Sequence, residues 1–330
     1  MNPVLSPVLE VRDLVVEFPT RHGVLRALNG VSMHIDAGEV LGVVGESGAG
    51  KSLTGAALIG LLEPPGRIAG GELWWRGQRI EGHTEDQWRA LRGRHIGAIF
   101  QDPLTALNPL YTVGRQLVET LRTHFDLSPA QARAQAIELL ADTGIPAPAE
   151  RIDHFPHQFS GGMRQRVVIA LALAAQPQLI VADEPTTALD VSVQAQIIEL
   201  LKRLCRERGA SVMLVTHDMG VIAETCDRVA VMYAGRVVET GPVAEVLLRP
   251  QHPYTQGLMG AIPSMDSDRP RLAQIDGSMP RLNAIPSGCA FHTRCPQVMP
   301  RCTHDTPMPH TIGLSTRACW LGHTEEARTP

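Results

Sequence analysis

Gly45-Glu46-Ser47-Gly48-Ala49-Gly50-Lys51-Ser52 follows directly on the apolar run Val40–Val44 and opens a helix-like stretch that reaches Leu62. The spacing is G-x-x-x-x-G-K-[ST], the P-loop pattern. Its glycines let successive backbone N–H groups curl around an anion, and the helix start adds the positive end of its dipole. Lys51 is then expected to reach the β- and γ-phosphates of a nucleotide, and the Ser52 hydroxyl to ligate Mg²⁺. A buried strand before the loop and a helix after it are the context this chemistry needs. Gly45, Glu46, Ser47, Gly48, Ala49, Gly50, Lys51 and Ser52 are therefore the first candidate nucleotide-binding residues.

Two further stretches fit a phosphate site. Leu179–Ala182 is an apolar strand that ends in Asp183 and Glu184. In P-loop enzymes an aspartate in this place holds Mg²⁺, and an adjacent glutamate is positioned to polarise an attacking water as a general base. Ser160-Gly161-Gly162-Met163 begins a basic helix, with Ser160 as N-cap. Two glycines in a first helical turn cost up to ~1 kcal/mol each relative to alanine. That cost is understandable where backbone must approach a phosphate.

Around these motifs, strand-like and helix-like stretches alternate. Val8–Phe18 and Gly30–Ile35 read as period-two strands, closed by the turn at 36–39. His95–Phe100, Ser211–Thr216, Arg228–Tyr233 and Arg236–Thr240 are further strands. Thr112–His124, Pro129–Thr143, Gly161–Ala175 and Ser192–Arg208 are helices. Parallel-type strands alternating with helices after a β-rich start indicate an α/β fold.

The 330 residues carry 30 Lys+Arg against 34 Asp+Glu, a net charge of −4, so nothing marks a nucleic-acid-binding surface. At 44% hydrophobic and 19% charged the chain can bury a sizeable core. Its longest purely apolar run, Val167–Ala175, is about half of what a spanning helix needs (~20 residues). The first ten residues lack a basic patch followed by an apolar stretch, so no secretory signal is expected. Composition shifts near residue 240: 12 of the 25 prolines and four of the six cysteines lie beyond Gly241. A domain boundary is expected there, giving 1–240 and 241–330.

P-loop, Gln101 after a strand, Ser160-Gly161-Gly162, Asp183-Glu184, Ala188-Leu189-Asp190 and His217 stand in the order found in ABC transporter ATPase subunits, which the chain resembles from about residue 8 to 245. The resemblance implies a RecA-like parallel sheet with an antiparallel β subdomain and a helical subdomain at about 102–175. It implies His217 as the switch histidine at the γ-phosphate, Gln101 as the glutamine that senses Mg²⁺ and water, Phe18 as the aromatic on adenine, and Asp190 in the D-loop. Family members work as head-to-tail pairs. The Ser160–Met163 signature therefore belongs to the partner's ATP, and Asp102–Val118 is the expected docking surface for membrane subunits. The usual glutamine of the signature is replaced by Met163, and the commoner leucine by Phe159. The loss of one hydrogen bond costs on the order of 1 kcal/mol, which implies two unequal ATP sites in a heterodimer.

Phe100–Pro109, Ala182–Asp190 and His252-Pro253-Tyr254-Thr255 are similar to the dipeptide/oligopeptide permease group of these ATPases. That similarity implies peptide import, with two integral permease subunits, a second ATPase and an extracytoplasmic solute-binding protein as partners. It implies a peripheral place on the cytoplasmic face of the inner membrane. Nickel, glutathione or another small solute is the alternative cargo. An ABC ATPase of translation or DNA repair is the rival class, disfavoured by the single set of motifs. The cysteines Cys289-x5-Cys295-x6-Cys302-x16-Cys319 lack the short pair usual in zinc sites, although His292, His304 and His310 lie among them. Four thiolates suit an iron–sulfur cluster, and the permease group's similar cysteine set implies a [4Fe–4S] cluster, with Zn²⁺ as the alternative.

Overall fold

The structure is a computed structural model that describes residues 7–187, 189–261 and 274–322. Its strands in chain order are β1 (Leu9–Thr20), β2 (Gly23–Ile35), β3 (Val40–Val44), β4 (Arg67–Trp75), β5 (Gln78–Arg79), β6 (Ile96–Ile99), β7 (Leu179–Asp183), β8 (Ser211–Thr216), β9 (Arg228–Tyr233), β10 (Arg236–Pro242), β11 (His310–Ile312) and β12 (Ser315–Arg317). They form a four-stranded antiparallel sheet, β2-β1-β4-β5, and an eight-stranded sheet, β11-β12-β10-β9-β3-β8-β7-β6.

Within the larger sheet β9, β3, β8, β7 and β6 are parallel neighbours. All five residues of β3 and all six of β8 are buried, as the apolar runs Val40–Val44 and Val212–Val215 require of strands covered on both faces. Each fully buried Val, Leu or Met there contributes ~1.5–3 kcal/mol relative to exposure. Because β3 is central, its C-terminal end points the P-loop into the crevice outside the strand ends, where α/β sheets take ligands. The helix Lys51–Leu58 then packs back on the sheet; it stops four residues short of the expected Leu62.

β4 does not show as a strand in the sequence, because Gly70-Gly71 reads as a breaker. The pair serves an irregularity. The β1–β4 register shifts between Arg12 and Val15, and Gly71 has φ +84° with Asp13 carbonyl 2.4 Å from where a Cβ would stand. Only glycine fits so close a backbone approach.

The buried side chains form three groups. One lies under the helices Val113–His124, Pro129–Asp142, Gly161–Leu173 and Val191–Arg208. A second lies between the two sheets. The third joins β9 and β10 to the C-terminal part of the chain and centres on Tyr233, Tyr254 and Phe291. Their ring centroids are 4.7, 5.2 and 5.4 Å apart, edge-on or tilted, which adds roughly 0.5–1.5 kcal/mol per pair beyond burial. The region after 241 is thus tied to the main sheet by this aromatic group, by β12 pairing with β10 at Glu239–Arg317 and Thr240–Thr316, and by the Glu239 carboxylate, which accepts from the Gln251 and His252 amides.

Candidate active site at the P-loop

Gly50 caps the helix Lys51–Leu58 with φ +103° and no side-chain hydrogen bond, so the helix start is presented on backbone alone. Lys51 is buried, and its Nζ donates to the carbonyls of Gly45 at 2.8 Å and Glu46 at 3.2 Å. Burial holds its pKa below the usual lysine range, against the opposing pull of Glu184, Asp183 and Glu46. The ammonium is folded back over the loop that a phosphate would fill.

Ser52 Oγ donates to Asp183 Oδ1 at 3.0 Å. Burial raises the Asp183 pKa; the Ser52 hydrogen bond and Lys51 act against this, and Glu184 adds to it. Two hard oxygens at this separation are the donor type that Mg²⁺ selects, so Ser52 and Asp183 fit the ion as a pair. Both line a cleft of about 400 Å³ together with Phe18, Leu53, Ile99 and Phe100. Phe18 is half-buried there and presses on Gly66.

Glu184 is the point where the other elements meet. Its φ is +44°, left-handed for a non-glycine residue, immediately after the last residue of β7. Oε2 accepts from Gln101 Nε2 at 3.1 Å and from Thr187 Oγ1 at 2.9 Å, and His217 Nδ1 stands 3.5 Å away. Gln101 follows β6 and His217 follows β8, so the parallel sheet brings three strand ends to one oxygen. Thr187 is not among the residues that the sequence motifs single out. A hydroxyl three residues beyond a carboxylate, in a turn, was the signal available for its back-bond. Glu184 and His217 line a second cleft, of about 550 Å³.

The signature lies elsewhere. Ser160 caps the helix Gly161–Leu173 and accepts from the Met163 N–H at 3.3 Å. A Cβ on Gly162 would stand 2.7 Å from Val193 Cγ1, and one on Gly161 3.5 Å from Leu189 Cδ2, so the turn leans on the segment that holds Asp190. Asp190 is exposed and caps the helix Val191–Arg208 without a side-chain hydrogen bond. Ala188 of that segment lies outside the described residues. Met163 Sδ takes a weak contact from Arg151 Nη1 at 3.7 Å. Neither the cleft at Ser52–Asp183 nor the one at Glu184–His217 is lined by Ser160, Gly161, Gly162 or Met163.

The four late cysteines are free thiols. Cys289 N–H donates to the Cys302 carbonyl at 2.9 Å. Burial pushes the Cys289 thiol up to about 11, and Cys302, Cys319 and Cys295 add to it. Burial also raises Cys295 and Cys319, with Cys302 adding to both. The donor set fits an iron–sulfur cluster in kind. Among the described residues, however, no three His, Cys, Asp or Glu side chains are gathered closely enough to hold a metal ion. The metal site expected from the cysteine spacing is therefore not supported by this arrangement, and zinc, which draws its ligands around one point, fits it least. Among the described residues no helix is long and apolar enough to cross a membrane.

A strand–P-loop–helix unit at the centre of a parallel sheet, with a carboxylate pair at the end of β7, defines a P-loop nucleotide hydrolase. The profile of the ABC transporter family matches residues 28–187, and that of the oligopeptide/dipeptide transporter C-terminal region matches 238–302. Over 320 residues the chain is 46% identical to the dipeptide transport ATP-binding protein DppD of Bacillus subtilis, covering 96% of this chain and 95% of that one. It is also 46% identical to the oligopeptide transport ATP-binding protein OppD of Salmonella typhimurium, at 95% and 93% coverage. Among solved structures, the dimeric bacterial ABC transporter cassette MJ0796 superposes with a TM-score of 0.64 at 30% identity, over 71% of this chain and 98% of that one. The chain belongs to the ABC transporter family, as an ATP-binding subunit of the branch that carries the oligopeptide/dipeptide C-terminal region.

Proposed function

We propose that this chain is the ATP-hydrolysing subunit that energises import of di- or oligopeptides through a membrane transporter. Relatives at 46% identity over nearly the whole chain are named for dipeptide and oligopeptide transport, which favours peptides over nickel or glutathione as cargo. The observation that carries the chemistry is the convergence of Gln101, Thr187 and His217 on Glu184 Oε2 beside the Ser52–Asp183 pair. In this reading Lys51 and the loop amides hold the β- and γ-phosphates, Ser52, Asp183 and Gln101 serve Mg²⁺, Phe18 stacks on adenine, and Glu184 polarises the attacking water. Ser160, Gly161 and Gly162 complete the ATP site of a second, related ATPase packed head to tail. Closure of the pair moves two integral permease subunits, which an extracytoplasmic binding protein loads. The subunit works from the cytoplasmic face, and the ATPase part ends near residue 240.

Exposed apolar side chains after Gln101 support docking there: Leu104 is 61% and Leu110 80% exposed. Affinity purification from detergent extracts is expected to recover two integral membrane proteins with the chain. In the reassembled complex, binding protein loaded with a short peptide is expected to stimulate ATP hydrolysis, and nickel or glutathione to leave it unchanged. Stimulation by one of the latter alone would overturn the peptide assignment.

We further propose that Cys289, Cys295, Cys302 and Cys319 hold a [4Fe–4S] cluster of structural role. Four free thiols within one short proline-rich segment, of the kind that needs a metal staple, favour it. Anaerobic purification followed by iron, sulfide and zinc analysis is expected to give four irons and four sulfides per chain. One equivalent of zinc without sulfide would overturn the cluster.

A further inference from the structure

Glu46 is an acidic residue inside a loop that takes phosphate, a placement that opposes anion binding unless its charge is answered. The answer comes from the other end of the chain. Arg294 meets the Glu46 carboxylate with both terminal nitrogens, Nη1 to Oε2 at 2.9 Å and Nη2 to Oε1 at 3.1 Å. This two-pronged geometry is the one in which guanidinium binds carboxylate most specifically. The Glu46 N–H donates to Tyr254 Oη at 2.8 Å, and the Glu46 carbonyl accepts from Lys51 Nζ. Amide, carbonyl and side chain of one P-loop residue are all engaged, and two of the three partners lie beyond residue 250.

Arg294 is built into its place. Its side chain is only 6% exposed. It also donates to the carbonyls of Ile275, Asp276 and Gly277 and lies over the rings of Tyr233 and Phe291 at 5.8 and 6.0 Å. The same stretch sends Met279 to within 3.8 Å of where a Gly48 Cβ would stand, so it touches the loop a second time. The short turn His292–Arg294 that carries the guanidinium runs between Cys289 and Cys295 and is hydrogen-bonded to both, through His292 N–H to the Cys289 carbonyl and Cys295 N–H to the His292 carbonyl.

We infer that Arg294 and Tyr254 are positioning residues for the P-loop: they neutralise and fix Glu46 so that the loop accepts phosphate, and through them the cysteine-bearing segment sets the affinity for ATP. The inference rests on the P-loop being the ATP site. By reciprocity, whatever orders the His292–Arg294 turn tightens ATP, and bound ATP steadies the turn.

The test is calorimetric titration of the purified full chain with Mg·ATP, alongside its thermal midpoint. Arg294→Gln leaves a charged Glu46 beside the phosphates and is expected to raise the Kd about tenfold, the scale of a charge-assisted hydrogen-bond pair. Glu46→Gln removes the charge and the anchor together, so it is measured as the background against which the double variant is read. The two changes combined are expected to return the Kd to within about threefold of the parent, because the charge that needed answering is gone. A staple that only holds the fold together would make the double variant at least as poor as the worse single one, and that result overturns the inference. So does an unchanged Kd in Arg294→Gln. Should that variant not fold, Tyr254→Phe decides: it strips the acceptor from the Glu46 amide without changing shape, and a Kd equal to the parent's overturns the positioning role. Failure of the parent chain itself to bind Mg·ATP would instead strike the reading of the P-loop as the ATP site.

Discussion

The helix that begins at Lys51 and the helix that begins at Gly161 both start on glycines, yet only the first is enclosed by its own chain. Around Gly45–Ser52 stand Asp183 on Ser52, Tyr254 and Arg294 on Glu46, and the backbone of β9 against Gly45. Around Ser160–Met163 the neighbours are Leu189, Val193 and Arg151, and Ser160 and Gly161 are exposed. Two helix N-termini of similar chemistry therefore differ in what surrounds them. In the reading proposed above, an anion at the first would meet lysine and hydroxyl from the same chain, with Ser52 and Asp183 as the pair that would hold Mg²⁺. At the second it would meet one hydroxyl and bare amides, a half-site. The contrast is what favours the proposal that a pair of subunits carries out hydrolysis.

The largest expected effect breaks the enclosed half. Glu184→Gln keeps the shape of the group that Gln101, Thr187 and His217 address but removes its charge. Turnover in the assembled complex is expected to fall ~10²-fold or more while ATP binding persists. Phosphate release measured with excess ATP checks turnover, and calorimetry on the same preparation checks binding. Turnover at the parental rate would mean that the catalytic carboxylate is elsewhere.

The two halves were also unequally legible. The P-loop, Asp183-Glu184 and the apolar strands around them announce themselves because each residue type is dictated by a local need: backbone freedom, a cation, a carboxylate, burial on both faces. Their enclosure does not. Glu46 and Arg294 are separated by 248 positions, and nothing in either's neighbours marks the pairing. Thr187 sat in plain view beside the carboxylates but acts through a turn whose conformation only the fold reveals. β4 was hidden by the glycines that its bulge requires. The cysteine segment shows the opposite error: the residue types were conspicuous, yet the side chains are not drawn around one ion among the described residues. Spacing along the chain constrains ligand geometry weakly when the chain between ligands is irregular.

A second, smaller effect probes what backs the enclosed half. His252 caps the helix Pro253–Gly260, its Nδ1 accepting from the Tyr254 N–H at 3.0 Å, directly beneath the tyrosine that reaches Glu46. Burial, with Arg317 adding, holds the imidazole down at about 3. An unfolded histidine takes up its proton near pH ~6.5, so between there and about 3 the unfolded chain binds more protons than the folded one. The stability from neutral His252 is thus complete above pH ~6.5 and is lost as pH falls below it, by up to ~1.4 kcal/mol per pH unit. Thermal midpoints of the full chain at pH 7 and pH 5 are expected to differ more in the parent than in His252→Asn, whose amide oxygen can still cap the helix without titrating. Equal drops in both would show that acid acts on the molecule through other groups.

The smallest expected effect sharpens the exposed half. Where most ABC ATPases carry glutamine, Met163 offers only a thioether, which here rests against Arg151 and the apolar group under the helices. Met163→Gln restores an amide donor and acceptor at the helix start, and Arg151 can meet its oxygen in place of sulfur. One neutral hydrogen bond is worth ~1 kcal/mol, so the KM for ATP in the assembled complex is expected to fall about fivefold or less. The isolated chain should bind ATP with unchanged affinity, because residue 163 lines neither the cleft at Ser52–Asp183 nor the one at Glu184–His217. The split between the two measurements matters more than the size of either. A shift confined to the assembly means that the signature serves the partner's nucleotide and that the thioether makes the two sites unequal. A shift of the same size in the isolated chain would mean that the signature closes on its own P-loop, and the contrast between an enclosed and a half-built site would fall.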